Sequence, residues 1–300
     1  MSCAFVVLAH RGPEQVERLA TRLRPHPVLL HVDAGVDSGT STALAHAAAH
    51  TGATLLPRHR STWASWGIVA AVLEGMRAAL GRDDWSHLMV LSGQDYPLAP
   101  AADIGAFLDA HTDTSFMARW ALPNPLWGRD GGMHRLRYRH RAVRGRRAFL
   151  PVPRRLPRDL EPFGGSMYVC LSRAAAAETL HFVERRPEVA RFYRRSWIPD
   201  EMFVPTAVMN SPARERVVNE SLSYIRWSQP GSRHPDVLGT GDLGALAAAA
   251  AGPSDIGGHG RRKLFARKLD AAADPRLLDL IDERLLGEQP RKLVSGRTAA

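Results

Sequence analysis

Three acids in this chain stand where their chemistry could be used. Asp33 closes the apolar run PVLLHVD, Asp95 lies in LSGQDYPL just past another apolar run, and Glu201 follows Pro199 and Asp200 in SWIPDEMF. A carboxylate just beyond the end of a buried strand can reach ribose or sugar hydroxyls without being buried unpaired. One in the first turn of a proline-opened helix is well aimed to accept a proton. Each acid also has a plainer explanation, because strand-end Asp residues close turns or cap helices and first-turn acids are favoured by the helix macrodipole. Missing motifs narrow the chemistry further. No GxGxxG follows the first apolar run and no GxxxxGKS/T occurs anywhere, so the dinucleotide and P-loop phosphate cradles are both lacking.

The elements that must position these acids alternate two periods. CAFVVLA (Cys3 to Ala9) is a buried-strand run, and a helix opened by Pro13 follows, with Val16, Leu19 and Leu23 on one stripe. A strand over PVLLHVD, an Ala-rich helix from Ser41 to His50, a short strand at Thr54 to Pro57, an amphipathic helix from Trp66 to Leu80 and a strand at His87 to Gly93 come next. The pattern β-α-β-α-β-α-β predicts an α/β fold, a mostly parallel sheet covered by helices, with ligands outside the carboxyl ends of the strands. FGGSMYVCLSR (Phe163 to Arg173) is a further short strand running into an Ala-rich helix, and Leu277, Leu278, Ile281 and Leu285 mark a last amphipathic helix. One domain over 1–286 and a flexible tail over 287–300 are expected.

With 300 residues and 45% hydrophobic content the chain can bury a full core, and its net charge of +10 favours anionic partners. Cys3 and Cys170 stand alone without a CxxC or His cluster, which argues against a zinc site or disulfide scaffold and fits a reducing, cytoplasmic setting. From Arg129 to Arg158 arginine dominates and only Asp130 opposes it. We read this segment (129–158) as a mobile loop able to meet a peripheral membrane surface or another polyanion. It has few interleaved aromatics and no RRM, zinc-finger or basic-zipper signature, so nucleic acid is not expected as a partner.

Taken in order, HVD (His31 to Asp33), STWASW, LSGQDYPL, FGGSMYVCLSR, PDEMFVPTAVMNSP, YIRW (Tyr224 to Trp227) and LFARKLD (Leu264 to Asp270) resemble the core-2/I-branching glycosyltransferase family, which also holds peptide O-xylosyltransferases. The likeness runs from about Phe5 to Leu286, without the cysteine set of secreted animal members, as in a bacterial-type member. It implies a GT-A-like fold and an inverting sugar transfer from a UDP-sugar, most simply of xylose or N-acetylglucosamine, to a hydroxyl of a glycan or other acceptor. The donor is a substrate and no cofactor is expected.

The resemblance also implies roles. Glu201 matches the family's general base. Arg233 and Lys268, with Arg267 as the alternative to Lys268, match the basic side chains that take over the charge-neutralising task of Mn²⁺ or Mg²⁺, so no metal is expected. His10 and Asp33 belong to the uridine and ribose end of the donor, Asp95 orients the donor sugar or fixes its turn, and Trp227 and Glu161 face the acceptor. The rival reading is a non-catalytic glycan- or polyanion-binding protein on the same fold.

Overall fold

A computed structural model of the chain describes residues 2–143, 146–229, 232, 234–252 and 262–288. β1 (Ser2–Ala9), α1 (Pro13–Arg22), β2 (Val28–Val32), α2 (Ser38–Thr51), β3 (Thr54–Leu55), α3 (Trp66–Leu80) and β4 (Trp85–Ser92) follow one another in the alternation that the sequence predicts. Next come β5 (Asp95–Pro97), α4 (Ala101–Asp109), β6 (Ser115–Phe116), β7 (Arg119–Ala121), α5 (His134–Arg137), β8 (Arg139–Val143), β9 (Arg146–Leu150), β10 (Phe163–Gly165) and β11 (Cys170–Ser172). Helices α6 (Arg173–Arg185), α7 (Pro187–Tyr193) and α8 (Phe203–Met209) lead to β12 (Val217–Val218), β13 (Ser223–Ile225), α9 (Leu243–Ala250), β14 (Phe265–Arg267) and α10 (Pro275–Ile281).

Seven strands form the central sheet in the order β12-β6-β11-β4-β1-β2-β3. β1 to β4 are mutually parallel, and β11 runs antiparallel to both β4 and β6. Side chains alternate across the sheet, so Cys3, Phe5, Val7 and Ala9 of β1 enter one core while Ala4 and Val6 enter the other. The first core is covered by α1, α2, α4, α9 and α10, the second by α3, α6, α7 and α8. Close approach of α3 to β1 depends on Gly75, where a Cβ would stand 2.6 Å from Val6. Asp37, Ser65 and Ser172 cap α2, α3 and α6, each accepting a backbone N–H bond that the first turn cannot satisfy itself. Among the described residues no helix is long and apolar enough to cross a membrane.

Two features bring distant chain together. A three-stranded sheet of order β13-β14-β5 sets Arg267 directly opposite Asp95. Beyond α10, Asp282 is fully buried and accepts from Arg18, Arg22 and the Tyr96 hydroxyl, the last at 2.8 Å, which fastens the turn after α10 to α1 and β5.

Two expectations are corrected. The segment 129–158, read as a loop, contains α5 and the hairpin β8–β9; Arg154 anchors it by donating to the carbonyls of Leu136 and Phe192 while lying over the Phe192 ring. Arg154 serves here as a half-buried hydrogen-bond hub, which composition alone does not reveal. Pro199 opens a single 3-10 turn, Pro199–Glu201, and the α-helix begins only at Phe203. Ile198 enters that turn in the left-handed region (φ 52°), an unfavourable conformation for a β-branched residue, and Met202 leaves it at φ −129°, so helical geometry cannot run through. Of the expected tail, residues 289–300 lie outside the described residues.

Candidate active site

The carboxyl ends of β1, β2 and β4 open into a cleft of about 2120 Å³. That exceeds the roughly 300–1,000 Å³ of an ordinary small-ligand site, leaving room for two substrates. At its β2 end Asp33 lies just past the strand, accepting from Ser61 N at 2.7 Å and from Gly35 N, and so ties the 58–61 loop down. Gly35 is required there because a Cβ would come within 2.8 Å of the Asp33 carboxylate. His31 Nε2 accepts from His59 N at 2.9 Å, and burial beside the His59 ring holds its pKa down to about 4, so it stays neutral at physiological pH. His10, following β1, lies on the same wall, with its pKa lowered by burial and by Arg11.

The floor is built by the strand pair β14–β5. Arg267 Nη1 donates to Asp95 Oδ2 at 3.0 Å and to Ser92 Oγ, and its guanidinium lies 3.8 Å from the centre of the Tyr168 ring. Asp95 is completely buried and also accepts from Ser92 N at 2.7 Å, closing its turn. Next to it Lys268 reaches the cleft wall, its pKa lowered by desolvation and by the charges of Arg11 and Arg267. Three basic side chains gather at this end, Arg267 offset by buried Asp95 and Arg11 by Asp270 at 2.9 Å, and the charge they leave over makes a place where a diphosphate would be stabilised.

Glu201 stands on another wall. Arg135 Nη1 donates to Glu201 Oε2 at 2.6 Å, and the Arg135 guanidinium stacks 4.0 Å from the Trp127 ring centre, so the carboxylate is held in one orientation. Beside it Asp200 has an enclosed Oδ1 with no partner among the described residues, and burial together with the neighbouring Glu201 charge pushes its pKa up to about 7. Trp63 and Trp197 meet edge to face at 5.1 Å on the cleft surface. Trp227, about half exposed, projects from the loop after β13, which Arg226 braces through Asp236 and Asp242.

Of the residues singled out from the sequence, His10, Asp33, Glu201, Trp227 and Lys268 all line this one cleft. Asp95 lies beneath it. Glu161 is away from it, on the surface, 3.8 Å from Arg214. Arg233 falls outside the described residues. The sequence reading missed Arg11, Arg135, Tyr168 and Trp197: Arg135 was one arginine among many, and Tyr168 and Trp197 sit inside motifs that were quoted for other residues. Among the described residues no group of three or more His, Cys, Asp or Glu side chains could hold a metal ion.

The chain is similar over nearly its whole length to curated transferases. It is 25% identical over 297 residues to xylosyltransferase 1 of Canis lupus familiaris and 24% identical over 297 residues to xylosyltransferase 1 of Homo sapiens, covering 96% of this chain and 31% of each relative. Xylosyltransferase 2 of Rattus norvegicus is 24% identical over 299 residues, with 96% of this chain and 34% of the relative covered. The chain thus spans about a third of the length of the curated relatives it matches. The family model described as Core-2/I-Branching enzyme matches residues 3–247, most of the sheet and the Glu201 wall, and the chain belongs to the Core-2/I-branching enzyme family.

Proposed function

We propose that the protein is an inverting, metal-independent glycosyltransferase that moves a sugar, xylose or N-acetylglucosamine, from a UDP-sugar to an acceptor hydroxyl. The observation that carries the reading is the pairing, within one cleft, of an oriented carboxylate at Glu201 with a basic end made by Arg11, Arg267 and Lys268. In this mechanism Glu201 takes the proton of the acceptor hydroxyl, whose oxygen attacks the anomeric carbon from the face opposite the diphosphate. The bond from that carbon to the diphosphate oxygen breaks as the new one forms, and UDP departs with its charge stabilised by Lys268 and, by family resemblance, Arg233.

His10 and Asp33 serve the uridine and ribose end in this reading, and Trp227 offers an apolar face to a sugar ring. Asp95 takes the second of its two expected roles: it fixes the turn and balances Arg267, whose guanidinium already occupies one of its oxygens. Metal independence rests on the same observation, since the acid nearest the expected metal position is engaged by a permanent cation.

The test is release of UDP from UDP-xylose and UDP-N-acetylglucosamine, with and without acceptor glycans, in EDTA. Turnover that persists in EDTA supports the reading. Activity that is lost in EDTA and restored by Mn²⁺ sinks metal independence, and no turnover with any UDP-sugar sinks the function.

A further inference from the structure

We propose that the outer face of the β8–β9 hairpin, together with Val152 just past it, docks onto an anionic lipid bilayer. Register fixes which side faces out. His140 pairs with Phe149, Arg139 with Leu150 and Arg141 with Ala148. His140 is buried, its backbone N–H donating to Arg195 O at 2.8 Å and its ring tilted against Trp197, so its face of the ribbon is turned to the protein. By the two-residue alternation of a strand, Arg139, Arg141 and Leu150 lie on the opposite face. On the outer side Leu150 is 59% exposed and Val152, just past the hairpin, 64%, while Phe149 sits on the His140 face against that ring. No acid occurs in the sequence between Asp130 and Asp159.

Arginines without local acids favour a negatively charged partner, and exposed Leu150 and Val152 among them decide which kind. A nucleic acid or a sulfated glycan would use the guanidiniums and leave those apolar groups in water. The headgroup and acyl boundary of an anionic membrane satisfies both at once. The hairpin is joined to the active-site wall: Trp197 N donates to Arg135 O at 2.9 Å, and Arg135 holds Glu201. Docking would therefore bring the Glu201 side of the cleft to the lipid surface, where an acceptor carried by the membrane would meet it.

Sedimentation of the full chain with vesicles of phosphatidylglycerol and phosphatidylcholine tests this, with pure phosphatidylcholine vesicles and soluble heparin as the contrasting arms. The wild type is expected on the anionic vesicles and not on the neutral ones. Arg139→Gln with Arg141→Gln should weaken that partition about tenfold or more, since each basic side chain at an anionic surface counts. Leu150→Ser with Val152→Ser should weaken vesicle binding while leaving heparin binding and melting temperature unchanged. Absence of wild-type binding to anionic vesicles overturns the proposal, and so does unaltered vesicle binding by the serine pair, which would mark a polyanion surface only. If the serine pair does not fold, Leu150→Trp replaces it: its emission should shift to the blue on anionic vesicles, and an unshifted spectrum overturns the proposal. None of these readouts depends on transferase activity, so failure here leaves the catalytic reading standing.

Discussion

Arg267 and Asp95, 172 residues apart in sequence, face each other across the antiparallel β14–β5 pair, with the guanidinium donating to the carboxylate at 3.0 Å. The acid is fully buried and the arginine nearly so. Removing one partner of such a pair leaves the other charge without compensation. Asp95→Asn should therefore cost about 3 kcal/mol of stability, at the lower end of what breaking a buried pair costs. Urea denaturation measures it, and a midpoint within error of the wild type would show that the pair does not hold the floor of the cleft.

Glu201 is 40% exposed and its carboxylate is held by Arg135 at 2.6 Å, so little packing depends on it. Glu201→Gln keeps its size and removes the proton acceptor. UDP binding and melting temperature should stay near wild type while turnover drops by about 10²- to 10⁴-fold, the range for loss of a general base. Near-normal transfer by this variant would remove Glu201 from the mechanism.

Lys268 is expected to bind the diphosphate through a charge-assisted contact. Lys268→Ala should weaken UDP binding by about 1–3 kcal/mol, read by titration calorimetry. Unchanged affinity would transfer the role to Arg11 or Arg267.

Asp200 gives a pH prediction. Its pKa in the folded protein is raised to about 7, chiefly by burial, above the ordinary carboxylate value, so between about pH 4 and about pH 7 the folded state binds a proton that the unfolded chain does not. Stability from this group is complete below that window and is lost as pH rises through it. Asp200→Asn should flatten the fall in melting temperature across the window. A wild-type slope in the variant would show that the carboxyl is not the group responsible.

Much of the scaffold was legible because its signals are local. The run Cys3 to Ala9 and the spacing of α3 carry their periods in consecutive residues, and α3 spans the predicted Trp66 to Leu80. Strands of two residues such as β6 and β12 have no period to read. The cleft was legible in part for the same reason: Asp33, Glu201 and Lys268 sit in compact motifs. The partners that orient them come from afar, Arg135 across 66 residues to Glu201 and Arg267 across 172 to Asp95, and spacing along the chain carries no trace of such pairings.

The buried carboxylate of Asp282 has a consequence for synthesis. Arg18 and Arg22 emerge from the ribosome with the first helix, yet the acid that neutralises them is made 264 and 260 residues later. The N-terminal strands and α1 can pack as they appear, but the two guanidiniums on α1 lack this carboxylate until residue 282 has been made. Closing so long a loop is slow, and until it closes the buried Arg18 has to wait for its partner. A nascent chain stalled before Asp282 should accordingly remain a client of holding chaperones, and release of the turn that carries Asp282, more than any step in sheet formation, would mark the moment this domain becomes protease-resistant.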